Sequence, residues 1–388
     1  MRSCSFHCVV VVAAGAYLLG CSDDEPSYWF GENGNQGAIA AGALHTCAVT
    51  QGGGVKCWGD NSSGQLGDGS LVDSAVPVLV SGIGDGVRYV AAGERHSCVL
   101  TLGGAVMCFG DNTLGQLGDD SLVDRLVPTQ VVGLESGVAR IAAGGDHSCA
   151  LMDSGAVKCW GDNTWGSIGD GTIDHRRVPT QVVGLDSGVV AIDAGLENSC
   201  AVTSKKEAWC WGHTVGADIP ADEWEEALKV GNPLPVKAPG LDEPVQDITA
   251  DSQVCVLTTR GGVKCKGAFG PMVTFYWGGI WLSDTMPAMA ITGSEFHGCG
   301  IDGDGGVRCW GWNENGELGD GTYTFSTRDV PVQDLSSGVI AVSTGGKHTC
   351  ALLDSGKAMC WGDNKSSQLG DHTGRIRSSV PIEVPGFP

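Results

Sequence analysis

Fourteen cysteines stand in seven pairs, and the members of every pair are ten positions apart: Cys47 and Cys57, Cys98 and Cys108, Cys149 and Cys159, Cys200 and Cys210, Cys255 and Cys265, Cys299 and Cys309, and Cys350 and Cys360. The first cysteines of successive pairs are 51, 51, 51, 55, 44 and 51 residues apart. A fixed period of this length restricts a chain to repeat architectures, because one unit cannot bury its apolar face alone. The chain reads as seven tandem copies of a unit of about 51 residues.

The cleanest copy is "VPTQVVGLESGVARIAAGGDHSCALMDSGAVKCWGDNTWGSIGDGT", residues 127–172. Its apolar runs are short, rich in Val, Ile and Ala, and closed by Gly, Asp, Asn or Ser, which indicates strands joined by tight turns. In "CALMDSGAVKC", Ser154 and Gly155 supply the turn of a central hairpin. Strands and turns at this density and period predict an all-β, closed seven-bladed propeller of four-stranded blades spanning 38–388. Internal units open on a "VPxxVxGL"-like run, whereas the first opens abruptly at Ala38; "VPIEVPG", 380–386, supplies the missing segment. The tail is therefore expected to pair into the first blade and close the ring, removing exposed edges. The competing reading is a frayed terminus.

The chain begins "MRSCSFHCVVVVAAGAYLLGC". One basic residue, Arg2, precedes an apolar run over 9–19, too short for a permanent span and the length of a signal-peptide core. "LLGC" resembles the lipobox of bacterial lipoproteins. That resemblance implies a signal over 1–20, a lipid anchor on Cys21 and a tether over 21–37; an ordinary secretory signal cut nearby is the alternative. By the best-known Gram-negative rule, Ser22 after the anchor implies outer-membrane sorting. Cys4 and Cys8 would leave with the signal. The remaining pairs then meet oxidising conditions, in which disulfides persist, and cysteines on paired strands lie within bridging distance. Each short loop would contribute on the order of 2–3 kcal/mol. Zinc is the competing reading, but zinc sites gather four ligands, usually from CxxC spacings, and these cysteines come as isolated twos.

Without residues 1–20 one arginine is lost, leaving 22 basic against 45 acidic side chains, a net charge of −23. Such a surface repels phosphate backbones, which argues against nucleic-acid binding.

The recurring string "AAGxxHxCAL…GxVxCWGDNxxGQLGDGT" resembles the repeat of the regulator of chromosome condensation family, a seven-bladed β-propeller. "CWGDNSSGQLGDGS" (57–70), "CFGDNTLGQLGDDS" (108–121) and "CWGWNENGELGDGT" (309–322) are close matches. The resemblance covers 38–388 and implies a rigid disc that binds another protein. Its members include a nucleotide exchange factor, plant light sensors and a secreted β-lactamase inhibitor, so fold does not fix function. Exchange activity is not carried over to an exported, acidic chain with no segment matching the exchange wedge.

Histidine stands two residues before the first cysteine at His45, His96, His147, His297 and His348; Asn198 and Gln253 replace it elsewhere. A metal-binding ring is one reading, but replacement by amides fits a hydrogen bond to the neighbouring blade better. An aromatic follows the second cysteine at Trp58, Phe109, Trp160, Trp211, Trp310 and Trp361, and glycine comes next in all seven units. These suit inter-blade packing with close backbone approach. The "GDGS"-like strings and "IDGDGGV" (301–307) read as turns, since the remaining ligands of a calcium loop are missing. No catalytic motif is present. No enzyme activity, cofactor or metal is expected.

Units four and five lose the "GDNxxGQLGDGT" string. After Cys210 comes "DEWEEALKV", able to form a short acidic helix. After Cys265, Lys266 replaces the aromatic and an aromatic-rich stretch follows. Trp224, Glu225, Glu226, Phe269, Phe275, Tyr276, Trp277 and Trp281 are the candidate partner-binding residues, because aromatic side chains dominate binding hot spots and acidic ones steer basic partners. The plainer reading is degenerate blades whose aromatics refill the core. The expected function is a non-enzymatic, monomeric protein-binding scaffold at the cell envelope. The alternative is a propeller enzyme or carbohydrate-binding module at the channel mouth, which convergent polar residues from several blades would favour.

Overall fold

A computed structural model describes residues 39–213, 231–238, 241–251, 253–268, 274–280 and 288–387, with backbone alone for Gln253, 267–268 and 274–280. Seven four-stranded antiparallel sheets, each made of four consecutive strands, stand around a common channel. Blade 3 is typical: Val138–Ala143 lines the channel, followed outward by His147–Met152, Val157–Gly161 and Arg176–Gln181. Its hairpin turns where expected, with Gly155 at φ +79° and its amide donating to the Met152 carbonyl. Trp224, Phe269 and Trp281, together with Glu225, Glu226 and Cys21, lie outside the described residues; Phe275, Tyr276 and Trp277 fall on the outer strand of blade 5, Thr274–Ile280.

All seven expected disulfides are present. Cys47 bonds to Cys57, Cys98 to Cys108, Cys149 to Cys159, Cys200 to Cys210, Cys255 to Cys265, Cys299 to Cys309 and Cys350 to Cys360, with Cα atoms 4.0–4.1 Å apart. The two cysteines of each bridge stand directly opposite on paired strands, as Cys98 does to Cys108 and Cys299 to Cys309. Their separation is nearer than the expected ~5.5 Å and close to the narrow class of antiparallel pair, ~4.5 Å.

The apolar core lies between blades. Val49, Val55, Leu66 and Val80 of blade 1 pack with Val87, Val90, Val99 and Phe109 of blade 2, and this arrangement recurs around the ring. The aromatic that follows the second cysteine in every blade but the fifth is fully buried in these seams, worth on the order of 2–3 kcal/mol of transfer free energy each.

The expected closure by the C-terminal tail is corrected. Arg377–Glu383 pairs within blade 7, Cys360 opposite Ile382 and Met359 opposite Glu383, and the outer strand of blade 1 is its own Ser74–Leu79. The reason is one of phase. In blades 1, 2, 3, 6 and 7 the Val-Pro strand pairs with the second cysteine strand that precedes it, so a unit ends on that strand. Side-chain contacts and two backbone hydrogen bonds, from His372 N to the Ala75 carbonyl at 3.1 Å and from Gly346 N to the Gly42 carbonyl at 3.2 Å, close the ring instead. The Trp58 ring meets Phe387 edge-on at 6.2 Å, and Lys56 donates to the Gly386 carbonyl at 2.8 Å.

A recurring hydrogen-bond lock ties each blade to the next. His96 Nε2 meets Ser148 Oγ of the following blade at 2.9 Å; Ser148 Oγ donates to the Gln116 carbonyl at 3.0 Å, and Trp160 Nε1 donates to the same carbonyl at 2.9 Å. A hydroxyl has one proton. Since Ser148 gives it to Gln116, the histidine must donate from Nε2, which fixes the tautomer. The set recurs at the junctions of blades 3 and 4, 6 and 7, and 7 and 1. Blades 1 and 2 have it without the indole, because Phe109 stands there. Burial alone drives the imidazoles far below their usual range, to about 4 at His45 and about 3 at His297; burial is also the main cause at His96, His147 and His348. They are neutral structural donors, the hydrogen-bonding role expected for them. The close approach of blades explains a glycine beside the lock: a Cβ on Gly42 would stand 2.5 Å from the Gly93 carbonyl oxygen and 2.6 Å from His45 Cε1.

Candidate functional site

In an antiparallel blade the first-to-second and third-to-fourth connections leave from the same end of the sheet. One face of the ring therefore carries both sets, and the amides of Asp60, Asp111 and Asp162 donate to the carbonyls of Leu44, Arg95 and Asp146 across them. In blades 1, 2, 3, 6 and 7 the third-to-fourth connection is built round one asparagine. Asn61 Nδ2 faces Asp68 Oδ1, Ser70 Oγ and the carbonyls of Ser70 and Val72 at 3.1–3.2 Å, while Asn61 Oδ1 accepts from Leu66 N at 2.9 Å. Asn112, Asn163, Asn313 and Asn364 repeat it. The oxygens that suggested a cation loop thus surround an amide nitrogen, and each aspartate of the "GDGS"-like strings also caps its own turn, as Asp68 does at Ser70 N, 2.8 Å. Asp302 of "IDGDGGV" caps likewise, accepting from Gly306 N at 2.8 Å. Among the described residues no group of three or more His, Cys, Asp or Glu could hold a metal ion.

This face is acidic. Asp146 is pushed up to about 6, by burial first and then by repulsion from Glu94, Asp111 and Asp162, against a smaller opposing pull from Arg95. Glu295 is raised by burial, opposed by Lys347 and reinforced by Glu197 and Glu94. Carboxylates of four blades therefore share one field across the channel mouth. The third-to-fourth connections of blades 4 and 5, after His213 and after Ala268, start from the same end, whereas 281–287 follows the outer strand of blade 5 from the opposite end. His213, the last described residue before the first of them, donates its amide to the Glu197 carbonyl at 2.9 Å, and its Nδ1 lies 3.5 Å from Glu197 Oε2.

Two groups on this side were not singled out from the sequence. Phe296, Trp312 and Phe325 of blade 6 form an edge-to-face cluster with ring centres 6.3–6.4 Å apart, and the Lys347 ammonium lies 5.6 Å from the Phe296 ring centre. The signal was Trp312, standing where other units have aspartate in "CWGDN". Within the channel, a cavity of about 740 Å³, stand Tyr89, Arg140, Asp193 and Asp247 from blades 2 to 5. Asp193 is pushed up to about 8, by burial first, with backbone amides of Ala250 and Ala194 pulling it down and Asp247 and Asp251 pushing it up. Asp247 is raised by burial and held back by Arg140.

Comparison with known proteins agrees with the ring. The regulator of chromosome condensation (RCC1) repeat matches residues 53–100, 103–151, 154–202 and 304–352, and a second form of that repeat matches 38–65, 87–116, 138–166, 290–317 and 339–368. Neither matches 203–289, where the irregular connections lie. The Ultraviolet-B receptor UVR8 of Arabidopsis thaliana is 34% identical over 188 residues, 48% of this chain and 43% of that protein. The human E3 ubiquitin-protein ligase HERC2 is 29% identical over 262 residues, 61% of this chain and 5% of that protein. The chain thus spans less than half the length of these relatives. Among solved structures, Prp20p from Saccharomyces cerevisiae, described with its binding to Gsp1p and histones, superposes with a TM-score of 0.73 at 20% identity over 93% of this chain and 90% of that one. Human WBSCR16 gives 0.69 at 22% identity over 81% and 86%; likeness at such identity speaks for the fold alone. The chain belongs to the regulator of chromosome condensation (RCC1) repeat family, as a seven-bladed propeller with one disulfide in every blade.

Proposed function

We propose that this chain is a non-enzymatic scaffold that binds a basic protein, exported and held at the cell envelope by lipid on Cys21. The irregular connections of blades 4 and 5 choose the partner. The observation that carries the reading is the shared face: the third-to-fourth connections of blades 4 and 5 leave the ring at the end where Glu94 repels Asp146 and Glu295, and Glu197 repels Glu295. Carboxylates that repel each other gain from a cationic partner, and such a field raises association rates. Loops held on a rigid ring are the usual place for recognition.

The test compares capture of envelope proteins by the native chain and by a variant whose 213–240 and 266–289 segments are replaced by the regular repeat string. The reading expects a partner retained by the native chain, released by salt and lost from the variant. Equal capture by both, or none by either, would reduce those segments to packing. Incorporation of a labelled fatty acid, absent from Cys21→Ser, tests the anchor. The alternative of an enzyme or carbohydrate-binding module draws support from one observation, the four polar side chains that converge inside the channel.

A further inference from the structure

The third and fifth positions of the inner strands repeat around the channel wall as small residues, with Val or Ile between them. At the third position of the inner strand, blades 4, 6 and 7 carry Ala191, Ala290 and Ala341, whereas blades 2, 3 and 5 carry Tyr89, Arg140 and Asp247. Two positions on, Asp193 of blade 4 stands where blades 1, 2 and 3 have Ala40, Ala91 and Ala142. The ring folds with alanine at both places, so the four departures are not required by the architecture. Asp193 has one structural role, in which its Oδ2 accepts from Ala250 N of the next blade at 2.7 Å. Ser343 does the same for Ala41 N at 3.0 Å and Thr292 for Thr344 N at 3.2 Å, without a charge.

The four groups come from successive blades and act on one another. Tyr89 feels Arg140, Asp193 and Asp247, and Asp247 feels Arg140. Yet among the described residues neither Arg140 nor Asp247 is in an ion pair. At the level of these four groups the opposite wall carries Thr292, Ser343 and Ala40, small and uncharged, while Glu295, Lys347, Asp363 and Lys365 line the same cavity from the connections of blades 6 and 7. A cavity of about 740 Å³ lies in the range of small-molecule sites. A fixed guanidinium and a fixed carboxylate facing one cavity, each without a counter-ion in contact, favour a ligand carrying both charges. A polyamine would meet Arg140, a dianion would meet the carboxylates, and a neutral sugar would leave both charges uncompensated.

We propose that the channel binds a small zwitterion of the amino-acid or dipeptide class, its carboxylate on Arg140 and its ammonium between Asp193 and Asp247, with the Tyr89 hydroxyl beside them. Guanidinium takes a carboxylate by two parallel hydrogen bonds. Burial raises both carboxyls, Asp193 to about 8, while Arg140 holds Asp247 back toward its anion, and an arriving ammonium favours ionisation of both.

The test is titration calorimetry of the purified, disulfide-intact protein with alanine, Ala-Ala, N-acetyl-Ala-Ala, Ala-Ala amide, spermidine and maltose. The free amino acid or dipeptide should bind, and blocking either end should weaken binding roughly tenfold or more. Arg140→Ala should stop discriminating against the amide, and Asp247→Ala against the acetylated form. Both variants place the alanine that other blades already carry, so thermal unfolding near that of the native protein is expected and checks the fold. Binding of neither alanine nor Ala-Ala, equal binding of the blocked forms, preference for spermidine or maltose, or unchanged discrimination in the variants would each overturn the proposal.

Discussion

Five junctions of the ring carry the lock in which a histidine meets the next blade's hydroxyl, and two, on either side of blade 5, do not. Between blades 4 and 5 the hydroxyl is replaced by Val254, and Asn198 instead donates to the Asp251 carbonyl at 2.8 Å. Between blades 5 and 6, Gly298 stands where the hydroxyl would be, and Trp310 Nε1 is buried without a partner. The substitutions come together. When the acceptor disappears, so does the histidine, as a single hydrogen-bonded device would require. Strand order and disulfide survive in blade 5 while the side-chain lock does not. Backbone pairing therefore builds the blade, and the lock sets how firmly neighbours hold it.

The largest difference should appear with pH. The five lock histidines are held near pKa 3 to 4 against an ordinary value of 6.5. Below about pH 6.5 the unfolded chain takes up protons that the folded ring refuses, so stability falls as pH drops toward 4, by up to about 1.4 kcal/mol per pH unit for each histidine. Asp193 runs the other way. Its folded value of about 8 lies above the ordinary 3.8, so the stability it contributes is lost as pH rises from about 4 to 8. Hydrogen exchange followed by blade should show acid opening the five locked junctions, while the 4/5 junction loosens toward pH 8. Uniform acid opening around the ring would break the comparison.

Disulfide removal comes next. Replacing Cys149 and Cys159 by alanine, or Cys255 and Cys265, removes the same ten-residue loop, worth about 2–3 kcal/mol. In blade 3 the lock still holds both sides, so the loss should appear as a lower global unfolding midpoint. In blade 5 it should appear first as local exchange over 245–268, well below global unfolding. Equal local exchange in the two variants would mean that the lock adds nothing to the seams.

A sharper contrast uses two indoles in equivalent seams. Trp160→Phe and Trp310→Phe delete the same volume, but Trp160 Nε1 has the Gln116 carbonyl and Trp310 Nε1 has no partner. Denaturant unfolding should find the first more costly by about 1 kcal/mol, the worth of one buried hydrogen bond. If the two cost the same, the indole donor does not contribute to the lock.

Much of this was legible because the chain repeats. Cysteine spacing carried the strand register, since ten residues with a central turn bring Cys149 opposite Cys159. Replacement of histidine by amides pointed to a hydrogen bond. Phase was not legible: seven copies in a ring look alike wherever the unit is cut, and only the pairing of Cys57 with Val78 shows that the Val-Pro strand ends a blade. Nor was the channel group. Tyr89, Arg140 and Asp247 interrupt a column of alanines in the sequence, but nothing local says that this strand is innermost. The acidic mouth needed the knowledge that first and third connections share an end, which brings Asp111 and Asp162 to Asp146.

The smallest effect tests whether the locked junctions are interchangeable. Between blades 1 and 2 the Gln65 carbonyl accepts from Ser97 Oγ at 2.9 Å, with Phe109 where the other locked seams have tryptophan. The surroundings match: Gly67 at φ +65° faces Phe109 as Gly118 at φ +68° faces Trp160, a Cβ on either standing 2.7 Å from the ring. Phe109→Trp should therefore enter without displacing backbone and donate to Gln65 as Trp160 does to Gln116. The expected gain is about 0.5–1 kcal/mol, read as a higher denaturant midpoint with unchanged slope. A loss of similar size would show that this seam has its own shape, that overpacking outweighs the new hydrogen bond, and that the five junctions share a hydrogen-bond pattern without sharing a mould.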